Sequence, residues 1–366
     1  MIKFVDLKAQ YQQLKPEIDQ AIERVLADCA FADGPYVADF ERAFAKAQQA
    51  PHCEAVSSGT AALHLAVVAL EIGQNDEVIV PANTFFATPE AVSLAGATPV
   101  FVDCESSFYQ IDCDKIEAAI TARTKAIIVV HLYGQPMAME KVIAVAKKHR
   151  LLIIEDCAQA HLASYHGEAV GSKGGVGCFS FYPGKNLGAY GEGGAVVTSD
   201  ADIAERVKAL KNHGSTRKYH HDYIGMNYRM SGFQGAILTI KLQYLQAWTR
   251  RRSALAAQYR EQLAAIKQII LPAELAGARH VYHLFVIRST RRDALQSYLQ
   301  QRGIQTGIHY PVPCHLQGAY KSLGYNVGSM PCAEQLAQEI LSLPLYPELK
   351  DEELNTVCRA IKEFYL

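Results

Sequence analysis

No run of residues in this chain is long and apolar enough to span a bilayer, which excludes a helical membrane protein. The opening stretch, MIKFVDLKAQYQQLKPEIDQ, lacks an apolar signal core and carries acids early, so no export signal is expected. Cys-x-x-Cys pairs are missing among the nine cysteines. An odd, scattered count without an export signal points to reduced thiols in a cytoplasmic protein, not to a disulfide framework. A surplus of either charge is missing too. The net charge is −1, which carries no electrostatic footprint for nucleic acid or an anionic membrane. There is no internal repeat and no low-complexity segment. The GSKGGVG stretch at 171–177 is not a P-loop, because no Gly-Lys-Ser follows at the required spacing.

What is present is ordinary soluble composition, 49% hydrophobic and 20% charged. At 366 residues the chain is too long for one common core, so two domains are expected, 1–248 and 249–366. Residues 14–50 read as helices broken near Asp33-Gly34-Pro35. Strands are expected at Val78–Val80, Thr98–Val102, Ala126–Val130 and Leu151–Ile154. Helices are expected from Thr60, at Ala87–Leu94 and at Met139–His149. Strands alternating with helices predict an α/β fold with a mostly parallel sheet covered on both faces. Ser231–Leu263 reads as one long helix that bridges domains or kinks. Beyond it, HVYHLFVIRS, a helix near Arg292–Arg302 and helices at 333–341 and 351–364 suit a smaller C-terminal α/β domain.

Lys185 lies in SFYPGKNLGAYGEGGAV, flanked by Pro183, Gly184 and Gly188. So many glycines imply tight turning and close approach, and a lysine held there is a candidate for a Schiff base with a carbonyl compound or pyridoxal phosphate (PLP). A mobile surface loop is the bland alternative. Asp156 follows LLIIE, at the carboxyl end of a strand, where it can hold a pyridine nitrogen protonated; a helix cap is its plainer use. Gly59 and Thr60 open a helix after a strand, with free N–H groups suited to phosphate, and Ser180 can add a hydroxyl. An ordinary Ser58 cap and a plain strand-end serine are the alternatives. A phosphate site, a carboxylate and a lysine together supply the three handles PLP needs. His309, Cys314 and His315 match no standard zinc spacing, so no metal is expected.

Nearly end to end, the chain resembles the fold-type-I, PLP-dependent nucleotide-sugar aminotransferases of the DegT/StrS group. The carriers are GPYVADFERAFA, SSGTAALHLA, PANTFFAT, VHLYGQP, EDCAQAH, SFYPGKNLGAYGEGGA, GMNYRMSGFQGAIL and GIHYPVP. The resemblance implies that Lys185 links to the cofactor and then shuttles protons, and that Asp156 pairs with the pyridinium. It implies that Gln159 bonds the ring hydroxyl, Phe85 stacks on the ring, and Gly59, Thr60 and Ser180 bind the phosphate. Asn227 is expected to reach the phosphate of a neighbouring subunit, which makes a homodimer obligatory. His161, Tyr182, Arg229, His309 and Tyr310 are the substrate-side candidates; a structural salt bridge is the alternative for Arg229. The loop with His213, Tyr219, His220 and His221 is expected near the site or in solvent. Leu162 departs from the commoner EDCAQAHGA, which implies a reshaped pocket around His161.

The implied reaction moves an amino group, with glutamate as donor, onto a keto nucleotide sugar. The aromatic-Tyr-Pro-Gly-Lys-Asn-Leu-Gly pattern resembles enzymes of 3-keto sugars, hence dTDP-3-keto-6-deoxyhexose. Open alternatives are 4-keto, UDP-N-acetyl 3-keto and cyclitol aminotransferases, dehydratase relatives that replace the lysine by histidine, and a PLP-binding regulatory protein.

Overall fold

The first two helices are set by local chemistry. α1 (Leu7–Ala27) starts where the Asp6 carboxylate accepts the Ala9 N–H at 3.2 Å. Gly34, at φ 89°, turns the chain, and Pro35 opens α2 (Pro35–Ala47) with its φ already helical. The computed structural model describes residues 1–366.

β1 (His52–Val56), α3 (Gly59–Ala69), β2 (Glu77–Pro81), α4 (Ala87–Leu94) and β3 (Thr98–Val102) follow in alternation. Then come α5 (Cys113–Ile116), β4 (Thr124–Val130), α6 (Met139–His149) and β5 (Leu152–Asp156). The short pair β6 (Ser164–Tyr165) and β7 (Glu168–Ala169) leads to β8 (Gly175–Ser180), β9 (Gly194–Thr198) and α7 (Ala201–Leu210). Seven of these strands form one sheet, ordered β1-β9-β8-β5-β4-β2-β3. β9 runs antiparallel to β1 and β8, and every other pair is parallel. The expected α/β class is the observed one. The strands are apolar on both faces because both are covered. Val78 and Val80 join one apolar cluster, and Ile79 between them joins another.

Past the exposed hairpin β10 (Ser215–Arg217) and β11 (His220–His221) comes α8 (Gly232–Leu263). It is unbroken over 32 residues, capped by Ser231. Leu238, Leu245 and Trp248 pack with Phe40 and Phe44; Leu255, Tyr259 and Leu263 pack in a separate cluster with Phe285, Leu341 and Val357. So α8 runs from one core into another. The remaining elements are β12 (Ala278–Arg279), β13 (Phe285–Arg288), α9 (Arg292–Gln301), α10 (Pro331–Glu339), β14 (Ile340–Leu343) and α11 (Asp351–Tyr365). The helix expected at 333–341 ends at Glu339. Ile340–Leu343 is instead a buried strand, antiparallel to β13, because its run ILSL is covered on both faces. Cys314, Tyr320, Ala333 and Leu336 pack against the α3–α4 side of the large sheet, while β13, β14 and α11 build the separate core. No helix is long and apolar enough to cross a membrane.

Phe44 is fully buried, with Phe40, Phe179 and Phe181 around it at ring separations of 5.6, 5.1 and 5.1 Å. Truncation opens a cavity that these rings cannot fill. Phe44→Ala is expected to lower the unfolding free energy by about 3–5 kcal/mol, measured by urea denaturation.

Candidate active site

The site is built where α3 begins. Ser58 accepts the Ala61 N–H at 3.0 Å, so it does cap the helix. Gly59 and Thr60, the first two helical residues, have no intrahelical partner for their N–H groups. Gly59 is required by close approach: a Cβ there would lie 2.5 Å from the Ser180 Cβ. Gly194 is required likewise, since its Cβ would meet the Ser58 carbonyl oxygen at 2.2 Å. These contacts bring Gly59, Thr60 and Ser180 together at the positive end of α3, a ready site for an anion.

Asp156 is the last residue of β5, one step earlier than a position just past the strand. Its carboxylate is buried and accepts from the Thr88 hydroxyl at 2.8 Å and the Ala158 N–H at 3.1 Å. No cation lies within ion-pair distance of it. Burial raises its pKa above the ordinary carboxylate value; the Thr88 and Ala158 bonds and the charge of Lys185 oppose that. Lys185, half-buried, has neither an ion pair nor a side-chain hydrogen bond. Burial pushes its ammonium down to about 8, against the attraction of Asp156. Gln159, three residues past Asp156, is buried. Its carbonyl oxygen accepts the Tyr133 N–H at 2.6 Å, and its amide donates to the Tyr310 hydroxyl at 3.1 Å.

The other expected residues divide. Phe85 is 53% exposed, its ring 5.2 Å from that of Tyr310. Tyr182 is 54% exposed beside the lysine loop. His309 bonds the Ser342 hydroxyl at 2.8 Å and stacks on Phe4; burial, then the charge of Lys185, lowers it to about 4. His161 does not join the open face. It is fully buried against Phe44, Phe179 and Phe181, and its Nε2 donates to the Ser180 carbonyl at 2.9 Å. Burial pushes it down to about 3, so it stays neutral under Ser180 as a support. Leu162 follows at φ 62° and packs on the same layer. Arg229 makes no salt bridge; it donates to the Asn212 carbonyl oxygen. Asn227 is exposed and bridges Asn212 through the backbone, and His220 and His221 are exposed on their hairpin. His309, Cys314 and His315 do not converge: Cys314 bonds the Thr84 carbonyl, and His315 bonds Glu334.

Sequence reasoning missed four supports. Thr88, on α4, reaches Asp156 only once α4 and β5 are packed. His131 accepts the Met137 N–H on Nδ1, so Nε2 donates to Glu155, at 2.9 Å. Glu155 also accepts from Gly171 at 2.8 Å and Gly174 at 2.6 Å, which gives the GSKGG stretch its purpose. His283, lowered well below the ordinary histidine value by burial and then by Lys185, bonds Asn186 at 3.3 Å.

The donor set fits PLP. A buried carboxylate without a cation suits a pyridinium N–H, an unpartnered amine suits an aldehyde, and the free helix end suits a phosphate. In the cofactor-free protein, trapping of Lys185 by an aldehyde and borohydride should rise with pH about a midpoint near 8. Asp156→Asn removes the charge that favours the ammonium, so the midpoint should fall further. Peptide mapping across a pH series reads both.

The profile of the DegT/DnrJ/EryC1/StrS aminotransferase family matches residues 12–362. The chain is 48% identical to the dTDP-3-amino-3,6-dideoxy-alpha-D-galactopyranose transaminase of Aneurinibacillus thermoaerophilus, covering 100% of this chain and 99% of that one. It is 46% identical to the dTDP-3-amino-3,4,6-trideoxy-alpha-D-glucose transaminase of Streptomyces venezuelae, covering 99% and 96%. It is 45% identical to a "pleiotropic regulatory protein" of Geobacillus stearothermophilus, covering 100% and 98%. Among solved structures it is similar to S. venezuelae DesV in complex with a ketimine intermediate, at TM-score 0.98 and 46% identity, covering 100% and 98%. It is also similar to NtdA of Bacillus subtilis with bound cofactor PMP, at TM-score 0.92 and 32% identity, covering 99% and 84%. The chain belongs to the DegT/DnrJ/EryC1/StrS aminotransferase family, a family of PLP-dependent sugar aminotransferases.

Proposed function

We propose that this enzyme transfers an amino group from glutamate to C3 of a 3-keto-6-deoxyhexose carried on dTDP. The observation that carries the reading is identity of 46–48% over nearly the whole chain to two transaminases named for dTDP-3-amino sugars. The buried Asp156 carboxylate and the unpartnered, half-buried Lys185 amine support the chemistry.

Bound PLP supplies an electron sink and carries the amino group between donor and acceptor. Gly59 and Thr60 N–H groups and the Ser180 hydroxyl would hold the phosphate. Asp156 would keep a proton at the pyridine nitrogen, Gln159 would bond the ring hydroxyl, and Phe85 would cover one ring face. Lys185 Nζ would move the proton of the transfer, as general base and then general acid. An amine near 8 is neutral often enough at neutral pH for the first role and protonated often enough for the second. Tyr182, His309 and Tyr310 orient the sugar so that one carbon meets Nζ. Asn227, exposed on its segment, reaches the phosphate site of a second copy, so that two chains complete each site. The segment from Tyr219 to Ile224 is also largely exposed in the single chain.

Two experiments test this. Incubation with dTDP-3-keto-6-deoxyhexose or its 4-keto isomer plus glutamate, read by NMR, is expected to place nitrogen at C3. Amination only at C4, or only of a UDP-N-acetyl sugar, would overturn the substrate reading. Lys185→Ala and Asn227→Asp subunits are each expected to be inactive. Mixed in equal amounts they are expected to regain about a quarter of parent activity, because half the dimers then hold one intact site. No recovery, with mixed dimers confirmed by mass, would remove the shared site.

A further inference from the structure

α8 carries a buried polar stripe that the reaction as derived does not use. Gln234, Lys241 and Arg252 lie on it at spacings of seven and eleven residues, which return a helix to within about 20° of one direction. Each reaches main-chain atoms. Gln234 accepts the Tyr190 N–H at 2.8 Å and donates to the Tyr190 carbonyl at 3.4 Å. Lys241 Nζ donates to the Gly188 carbonyl and lies 4.9 Å from the Tyr190 ring centroid. Arg252 donates to the carbonyls of Leu345 at 2.7 Å, Tyr282 at 3.2 Å and His283 at 3.4 Å.

Lys241 and Arg252 are buried, and neither has a carboxylate within ion-pair distance. Such cations are expensive to bury, and apolar residues of similar volume would fill the same space at lower cost. Burial shows in both: it lowers Lys241 to about 8 and Arg252 to about 10, with Glu348 opposing. What they hold explains their presence. Gly188 closes the lysine loop, since a Cβ there would lie 2.2 Å from the Pro183 carbonyl oxygen. His283 is on the opposite strand of chain beside Lys185. Asn186 ties the two segments, donating to the Val281 carbonyl at 3.0 Å and meeting His283 Nδ1 at 3.3 Å.

We propose that Lys241 and Arg252 are positioning residues: they fix the lysine loop and the His283 segment to one continuous helix and so set where the Lys185 amine stands. This rests on the reading of Lys185 as the reacting lysine. A displaced amine loses rate, because proton transfer depends on the separation of Nζ from the reacting carbon.

The test uses the PLP-loaded enzyme with Lys241→Met, which keeps length and removes the donor, and Lys241→Gln, which keeps an N–H donor without charge. Lys241→Met is expected to lower kcat about tenfold or more, with KM for the nucleotide sugar within about threefold. The pH midpoint of the lysine–cofactor absorbance is expected to shift, because Lys185 and Asp156 no longer stand in the same relation. If the methionine variant does not fold, Lys241→Gln decides, with kcat expected to fall by about two- to fivefold at unchanged KM. Parent kcat in the folded variants, with an unmoved absorbance midpoint, overturns the inference. Borohydride reduction and peptide mapping separate this from the parent reading. A label on Lys185 with parent kinetics overturns the inference alone. A label on another lysine overturns the role of Lys185 and the inference with it.

Discussion

A carboxylate buried without a cation is the constraint around which this molecule is arranged. Asp156 ends β5 with two neutral donors and no ion pair, an arrangement whose energy is met only when a cationic donor is brought to it. Everything nearby has a bearing on that. Thr88 aims the carboxylate, and the neighbouring Glu155 is anchored by His131, Gly171 and Gly174 on the other face of the strand. Lys185, whose own charge burial disfavours, feels Asp156 as its main electrostatic support. Each charge thus offsets part of the other's burial cost without the two groups forming an ion pair.

A second anchor lies outside the reacting pair. Lys211 is buried between Glu41 at 2.9 Å and Glu54 at 2.7 Å, and also donates to the Ala55 carbonyl. Burial alone would lower its pKa, but the two carboxylates outweigh that and raise it. The Lys211 carbonyl accepts the Tyr228 N–H, and the Tyr228 carbonyl accepts that of Ser57. The chain leading to Asn227 and the turn before Gly59 are therefore registered to one buried charge cluster.

Much of this was legible in the sequence, for identifiable reasons. β-branched runs ending in turns gave the strands; Pro35 and the Ser58-Gly59 pair gave helix starts; the glycines around Lys185 gave a close-packed loop. What was not legible depends on partners distant in sequence. Thr88 and Glu155 acquire roles only across packed elements. His161, five residues after Asp156, read as pocket-facing, yet the turn at 157–162 carries its ring into the phenylalanine layer. The helix expected at 333–341 overran into Ile340 and Leu341, because only the pairing with Phe285–Arg288 makes Ile340–Leu343 a strand. The polar stripe of α8 was hidden by the apolar residues that surround it.

The antiparallel strand β9 has a kinetic consequence. It pairs His52 with Thr198 and seats Gly194 on Ser58, so the anion cradle joins chain segments made far apart in time. On a ribosome the N-terminal strand must wait, unpaired on that side, until Thr198 has emerged. The lysine loop then needs Lys241 before it is tied to α8. Contacts of such separation are slow to form, and a partly made chain exposes the edge of β1 meanwhile. The loop that carries the reactive amine therefore gains its tie to α8 only after the strands on both sides of it have been made.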